Sequence, residues 1–515
     1  MQPLRFIDKQ LNGITTYRLV LYGLLAMTGA SLALAFLDLL SFTITSMLVL
    51  LGLLLIVAAS SNLLLARSLR ITPSTESTYI TALILYMILP PVTSASHALA
   101  VALAALAAMA SKYLLTFRGS HIFNPAAFGL AAVTLTGLSS SMWWVGSSVM
   151  LPFTVIFGLL VVRKIRRFSL VSLFIATSLA VMVGLALADG REVATTITMA
   201  FTSWPMIFLG CIMLTEPATL PARQKQRLAF GTVVAILFAA HPSVGPLSTT
   251  PEVALLLGNL FTLAVSPAKR MTLRLKKKTM LSEHVYDFAF ETIGAERQPD
   301  FKAGQYAELT LPLIKNDDRG NRRSFTIASA PSEGLVHFGV KFYRPSSSFK
   351  QALIALKPGD TVTANRISGD FILPADQKQK LAFIAGGIGM TPFRSHLADL
   401  LGRGEQRDIT LFYLVSDPNE ISYQDVINRA KEELGIRFIP VLSYGAVARA
   451  NQDSRQWQGH VGRLDATFIR QQIPDYAERT FYISGPNRMV DDTKATLRKL
   501  GLRQRSIRTD HFSGY

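Results

Sequence analysis

The sequence predicts a polytopic α-helical membrane domain over residues 1–267, an antiparallel β-barrel over 268–376 and a parallel α/β domain over 377–515. Three observations carry this reading. Residues 1–267 hold 15 Lys and Arg with 7 Asp and Glu, whereas 268–515 hold 37 and 27. The first part is built of apolar runs of the length needed to cross roughly 30 Å of hydrocarbon. The remainder changes to short alternating segments and then to a strand, loop, helix rhythm.

The apolar runs are 17–37, 44–66, 79–94, 97–115, 123–138, 145–162, 170–188, 195–214, 228–240 and 253–265, ten candidate spans. Basic residues follow the even-numbered ones: Arg67 and Arg70, Lys112 and Arg118, then Arg163, Lys164, Arg166 and Arg167. Arg223, Lys225 and Arg227 follow the eighth run, and Lys269, Arg270 and Arg274 the tenth. The odd-numbered loops carry only Arg191. Positive charge gathers on the cytoplasmic side, so both termini and the soluble part are expected in the cytoplasm, with the chain multi-pass in the inner membrane. The start MQPLRFIDKQ is polar and no small-residue cleavage site follows the first apolar run, so that run reads as a retained helix rather than a signal peptide.

The net charge of +18 fits loops that face anionic lipid. No basic stripe with interleaved aromatics accompanies it, so nucleic acid is not an expected partner and the lipid bilayer is. The lone Cys211 excludes an internal disulfide and a cysteine-ligated iron–sulfur cluster, which takes about four thiolates. No metal site is expected.

Two polar interruptions stand out in the membrane half: Asn124 with Pro125 in GSHIFNPAAFGL, and Glu216 with Pro217 in MLTEPATLP. Ionisable groups at such depth are costly unless paired or hydrated, which makes them functional candidates. The plainer alternative is that Pro125 starts a helix and Glu216 caps a boundary in contact with water.

In the soluble half, HVYDFAFE, AELTLP, RRSFTIAS, LVHFGVKFY and DTVTANRIS read as strands of a small barrel. KLAFIA, DITLFYLVS, IRFIPVLS and RTFYISGP alternate with helical segments, which predicts a parallel sheet with ligands at the carboxyl ends of its strands. In Arg323, Ser324, Phe325 and Thr326, the guanidinium can pair with a flavin phosphate, the ring can stack on an isoalloxazine and the hydroxyl can reach its N5. Gly386, Gly387, Gly389, Met390, Thr391 and Pro392 follow an apolar strand and open a helix, where backbone can approach a pyrophosphate. Ser484, Gly485, Pro486 and Met489 repeat that arrangement and suit a nicotinamide pocket wall. In the final DHFSGY, Phe512 and Tyr515 are candidates to cover the second flavin face.

The order R-S-F-T, G-G-I-G-M-T-P, S-G-P-N-R-M, D-H-F-S-G-Y is similar to the ferredoxin–NADP reductase superfamily over residues 271–515. The resemblance implies that Arg323, Ser324, Phe325, Thr326 and Lys341 hold FAD, with Ser347 or Ser348 in a pyrophosphate loop. It implies a nucleotide site at the glycine loop, Ser416 and the residues around Ser484, with Thr326, Phe325, Ser484 and Tyr515 at the reaction centre. Many members have cysteine where Ser484 stands, and many NADPH users have arginine where Ser416 and Asp417 stand. The acidic residue favours NADH over NADPH.

In the membrane half, FNPAAFG paired with TEPAT in a ten-span frame resembles the D subunit of Rnf complexes and the B subunit of the sodium-translocating NADH:quinone reductase. That resemblance implies two inverted repeats and electron transfer through membrane-bound flavin, with Asn124 and Glu216 as candidate cofactor residues. The S-G-A-T motif that carries phosphoester-linked FMN in those subunits is missing, and Thr219 does not occupy its position. A membrane flavin, FMN or riboflavin, would therefore be noncovalent. The expected activity is NAD(P)H oxidation through FAD, with electrons delivered to a quinone or an extracytosolic flavin or redox protein. A haem-type transmembrane reductase is the alternative within the same class, with only His97, His121 and His241 available in the spans. A transporter governed by a cytosolic redox domain is the alternative outside it.

Overall fold

The computed structural model describes residues 2–69, 75–244, 247–267, 270–294, 300–313, 321–343, 346–443, 457 and 459–511. They form two compact units, Met1–Ala268 and Lys269–Tyr515.

Unit 1 is helical: α1 Gln2–Gly13, α2 Thr16–Phe36, α3 Ile44–Ser68, α4 Thr75–Ile88, α5 Ala95–Leu114 and α6 Pro125–Leu135. The series continues with α7 Leu151–Ile165, α8 Phe168–Ala188, α9 Val193–Thr202, α10 Met206–Met213, α11 Gln224–Ala240 and α12 Pro251–Val265. Every apolar run of the sequence overlaps at least one of these helices. Among the described residues, α2, α3, α5 and α8 are the helices long and apolar enough to cross a membrane, and the α9–α10 pair, bent by 59°, would make a fifth crossing. Pro205 lies at that bend, and the last five residues of α10 wind as a π-helix. By that measure the ten-span count is not confirmed: α6 has 11 residues and α12 has 15, about 16 and 22 Å of helix. Hydropathy reports apolar surroundings, and these short helices obtain them from protein neighbours. Gly129 of α6 lies so close to α5 that an added Cβ would sit 2.4 Å from the Ala104 carbonyl oxygen, a backbone contact typical of packed membrane helices.

The polar N-terminal stretch is itself a helix. Arg163 of α7 clamps Asp8 of α1 through two bonds of 2.7 and 2.8 Å, and Lys164 Nζ donates to the Leu11 carbonyl at 2.7 Å. Helices α6 and α12 share a construction. Each follows a two-stranded hairpin, β1 Thr116–Phe117 with β2 Ser120–His121, and β3 Ser243–Val244 with β4 Leu247–Ser248. Each opens on proline, Pro125 or Pro251. The two helices run antiparallel: Asn124 N donates to Asn259 Oδ1 at 2.8 Å at one end, and Thr134 Oγ1 donates to Glu252 Oε1 at 3.4 Å at the other.

Unit 2 begins with a curled antiparallel sheet. Its strands are β5 Arg270–Ser282, β6 Val285–Ile293, β7 Tyr306–Thr310, β8 Arg322–Thr326, β9 Val336–Lys341 and β10 Thr361–Ser368, in the order β8-β7-β10-β5-β6-β9. The Ala328 amide donates to the His337 carbonyl at 2.8 Å, which brings the two edges together. Helix α13, Ser348–Ala355, plugs this sheet with Phe349 and Leu353, both fully buried.

The second layer is a parallel sheet of order β14-β13-β12-β11-β15-β16. It comprises β11 Leu381–Gly386, β12 Ile409–Val415, β13 Arg437–Leu442, β14 His460–Val461, β15 Thr480–Gly485 and β16 Ile507–His511. Helices α14 Thr391–Arg403 and α15 Gln424–Leu434 pack on one face, and α16 Ala466–Gln472 and α17 Asn487–Lys499 on the other. Strand β11 is buried along its whole length, as a parallel strand covered on both faces must be. Tyr423 OH donates to Asp287 Oδ1 at 2.9 Å, Ser395 Oγ donates to the Ser329 carbonyl at 2.6 Å, and Arg394 forks onto Glu333. These bonds tie the curled sheet to the parallel one.

Beneath β11 lies His396, fully buried against Phe371, Phe383 and Tyr482. Burial holds its pKa down to about 3. An unfolded histidine protonates near 6.5, so the unfolded state gains the proton first as pH falls. Stability conferred by neutral His396 is therefore present above about 6.5 and drops by up to about 1.4 kcal/mol per pH unit below it. Hydrogen-exchange protection of α14, corrected for intrinsic rates, should fall between about pH 7 and about pH 5, and His396→Leu should flatten that dependence by one proton.

Candidate functional site

The crevice lies where the order of the parallel sheet reverses, between the carboxyl ends of β11 and β15. From β11 the chain turns tightly through Gly387–Met390. Gly387 has φ 51°, a left-handed conformation that favours glycine. Thr391 and Pro392 then open α14, with Thr391 Oγ1 donating to the Ile388 carbonyl at 3.1 Å and Tyr413 OH to the Gly387 carbonyl at 3.1 Å. A Cβ on Gly389 would stand 2.3 Å from the Ser484 carbonyl oxygen, so the first glycine loop lies directly on the second. Met489, in the first turn of α17 after Pro486, closes over Gly386 and Gly485.

Ser484 is fully buried, and its hydroxyl has no hydrogen-bond partner among the described residues. Such an orphan costs about 1–3 kcal/mol, and a ligand that supplies the missing partner accounts for it. Ser484 stands opposite Asp510 in the parallel register of β15 with β16. Thr326 of β8 lies close enough for its hydroxyl to act on the Asp510 carboxyl. Burial raises the Asp510 carboxyl to about 7, against the opposing pull of the Thr326 hydroxyl. Three strands thus bring Thr326, Ser484 and Asp510 to one place. Asp510 had no assigned role in the sequence, because only the pairing of the last strand places it.

Arg323 and Phe325 share the side of β8 that faces α13. The Phe325 ring stacks on Phe349 with centroids 5.8 Å apart, and the Arg323 guanidinium lies 5.6 Å above the same ring. Ser324 points the other way, exposed, and sits opposite Glu308 in the β7–β8 register. Ser347 caps α13 by accepting from the Lys350 amide at 3.3 Å, and Ser348 is the first residue of that helix. A guanidinium and a helix N-terminus form the donor set that a pyrophosphate takes. With the Thr326 hydroxyl and the glycine crevice, the residues fit FAD with an adjoining nicotinamide nucleotide.

Lys341 is used differently from expectation: its Nζ donates to Glu420 Oε1 at 2.7 Å, across from the curled sheet to the segment after β12. The Ser416 amide donates to Glu420 Oε2 at 3.2 Å, so Lys341 and Ser416 meet on one carboxylate. Asp417 accepts from the Asn419 amide at 2.8 Å. Phe512 and Tyr515 lie outside the described residues.

In unit 1 the two polar interruptions meet. Asn124 caps α6 by accepting from the Ala127 amide at 3.0 Å, while its Nδ2 donates to Glu216 Oε2 at 2.9 Å. His121 Nε2 stands 3.4 Å from Glu216 Oε1. Asn259, buried on α12, joins the group with an Nδ2 that has no partner among the described residues, a contribution that sequence patterning did not register.

Residues 272–371 match the Oxidoreductase FAD-binding domain family and residues 383–495 the Oxidoreductase NAD-binding domain family. Unit 2 is thus an FAD- and NAD-binding oxidoreductase unit of the ferredoxin reductase type. The chain is similar to the phenol hydroxylase P5 protein of Acinetobacter pittii, with 30% identity over 224 residues, 42% of this chain and 59% of that protein. It is also similar to the F subunit of the Na(+)-translocating NADH-quinone reductase of Marinomonas sp., with 24% identity over 254 residues, 42% of this chain and 61% of that protein. The chain thus spans about three fifths of the length of each of these two relatives. The solved Amycolatopsis cytochrome P450 reductase GcoB aligns at 23% identity and a TM-score of 0.41, covering 48% of this chain and 70% of that one.

Ser484→Ala removes an unsatisfied buried hydroxyl. It should leave the ligand-free fold equal or more stable by about 1 kcal/mol, while weakening NADH binding about tenfold. Denaturation midpoints and nucleotide titration, measured on the same preparations, check the two opposed effects.

Proposed function

We propose that the chain is a membrane-bound NAD(P)H:acceptor oxidoreductase, with nucleotide oxidation in unit 2 and onward electron transfer through unit 1. The observation that carries the first half is the convergence of Thr326, Ser484 and Asp510 at the mouth of a double glycine crevice. Bound FAD would supply hydride acceptance from the nicotinamide and release of electrons one at a time. Arg323 and the start of α13 hold a pyrophosphate, and the glycine loops let a second one approach the backbone. Ser484 donates to or accepts from the nicotinamide carboxamide. Asp510, poised near neutrality, holds a proton against the Thr326 hydroxyl and lends or withdraws it there as charge changes beside them. Asp417 at the end of β12 favours a free ribose hydroxyl over a 2′-phosphate, so NADH is the preferred donor.

For the second half, buried Asn124 and Asn259 and part-buried Glu216 form a polar site, suited to a noncovalent flavin, FMN or riboflavin, or to another carrier. The repeated order of helix, hairpin and proline-initiated helix in α5–α6 and α11–α12 supports an inverted-repeat origin. The loop charges support cytoplasmic termini in an inner membrane. The acceptor is a quinone or an extracytosolic flavin or redox protein.

Anaerobic stopped-flow mixing of the FAD-loaded full chain should show flavin bleaching by NADH at least tenfold faster than by NADPH. The rate should bend near pH 7, where Asp510 loses its proton, and Asp510→Asn should remove that bend. Failure of NADH to bleach the flavin would sink the reading. For the membrane half, Glu216→Gln and Asn124→Ala should leave NADH:ferricyanide reduction unchanged and lower NADH-dependent quinone reduction in proteoliposomes at least tenfold. Equal quinone rates would reject that site.

A further inference from the structure

Glu420 plays no part in the function proposed above, yet it closes the segment that follows β12. The strand ends at Val415, and Pro418–Glu420 forms a single helical turn. Asp417 opens that turn by accepting from the Asn419 amide at 2.8 Å, and the Glu420 amide donates back to the Asp417 carbonyl at 3.0 Å. The Glu420 carboxylate then reaches back along its own loop and accepts from the Ser416 amide at 3.2 Å. Its other oxygen accepts from Lys341 Nζ of β9 at 2.7 Å. Lys341 is thus separated from the Ser416 amide by the width of one carboxylate. The loop is also tied to the glycine crevice: the Ser422 amide donates to Tyr413 OH at 3.2 Å, and the same hydroxyl donates to the Gly387 carbonyl at 3.1 Å. Ser416 and Asp417 are exposed, and the Lys341 and Glu420 side chains are partly so, at 20% and 26%.

An ion pair with this much access to water adds little to stability. Its effect on a ligand is larger, because of what each partner would do alone. A lysine ammonium is a compact point charge that binds phosphate. Beside a loop that receives the adenosine ribose, it would draw in a 2′-phosphate. Glu420 occupies that ammonium with an opposite charge and adds its own repulsion of a phosphate to that of Asp417. An uncharged ribose hydroxyl loses nothing by this arrangement, whereas a 2′-phosphate loses its cation.

We infer that Lys341 and Glu420 together decide which nucleotide is accepted: by holding Lys341, Glu420 excludes a 2′-phosphorylated donor. The inference rests on the reading that the end of β12 receives the adenosine ribose. It adds to Asp417 a second acidic residue, one that acts through a lysine of the curled sheet.

Calorimetric titration of the full chain with 5′-AMP and 2′,5′-ADP, which differ only in the 2′-phosphate, tests the pair without flavin turnover. Wild-type protein should bind 5′-AMP more tightly. Glu420→Gln releases the ammonium and should raise the affinity for 2′,5′-ADP relative to 5′-AMP about tenfold. Adding Lys341→Met to that variant should abolish the gain. In the FAD-loaded chain, the ratio of NADPH to NADH bleaching rates at subsaturating nucleotide should rise in Glu420→Gln and return towards the wild-type value in the double variant. An unchanged affinity ratio in Glu420→Gln, or a gain that persists when Lys341 is also replaced, would overturn the inference while leaving the NADH preference intact. Equal wild-type affinity for the two probes would instead remove the ribose reading, and the inference with it. If the glutamine variant does not fold, Lys341→Met alone decides. It leaves the Glu420 charge unbalanced and should lower the relative affinity for 2′,5′-ADP further, so an unmoved ratio counts against the pair.

Discussion

The close approach of Thr326 to Asp510 is the constraint on which the catalytic half depends. Thr326 ends an edge strand of the curled antiparallel sheet, and Asp510 lies on the edge strand of the parallel sheet. Joining them fixes where one fold stands against the other. The parallel register then places Ser484 beside Asp510. The backbone of Gly389, lying on Ser484, places the first glycine loop on the second. Each later contact takes its position from the one before. The bonds of Tyr423 to Asp287 and of Arg394 to Glu333 reinforce the same junction from the far side.

Unit 1 answers a different constraint, the cost of polar groups away from water. Its two proline-initiated helices run antiparallel, and each N-terminus is met by a polar side chain of the other helix: Asn259 at Asn124, and Thr134 at Glu252. The Asn124 backbone amide and the Glu252 carboxylate thereby each find a partner across the helix interface. Shortness is part of the arrangement, because a helix that stops inside the protein brings its N-terminal amides to the interior. It can do so only where neighbours and hairpins meet the remaining backbone groups.

Legibility in the sequence followed the range of the interaction. The glycine loops, Ser484 and the R-S-F-T strand were readable because their chemistry is carried by neighbours in the chain, each set between a strand and a helix. The salt bridge of Lys341 was not readable, since it reaches 79 residues along the chain to Glu420. Asp510 had no visible role, for the pairing of β16 with β15 is non-local. Asn259 and Glu252 were hidden inside runs whose average is apolar, and a window average cannot register one buried polar group. The α1 helix was missed because its anchor, Asp8 to Arg163, spans 155 residues.

The amino-acid order determined that an apolar helical unit precedes a curled sheet and a parallel sheet, and that flavin and nucleotide motifs occur in a set succession. Those features arise from hydrophobic period and from backbone freedom at glycine, both local properties. Tertiary structure alone decided that Thr326, Ser484 and Asp510 form one centre and that Asn124 and Glu216, 92 residues apart, are partners. It also decided that, among the described residues, four apolar helices are long enough to cross a membrane unaided. The reason is the same in each case: strand register and helix contact are settled by what packs against a residue, which its neighbours in the chain do not specify.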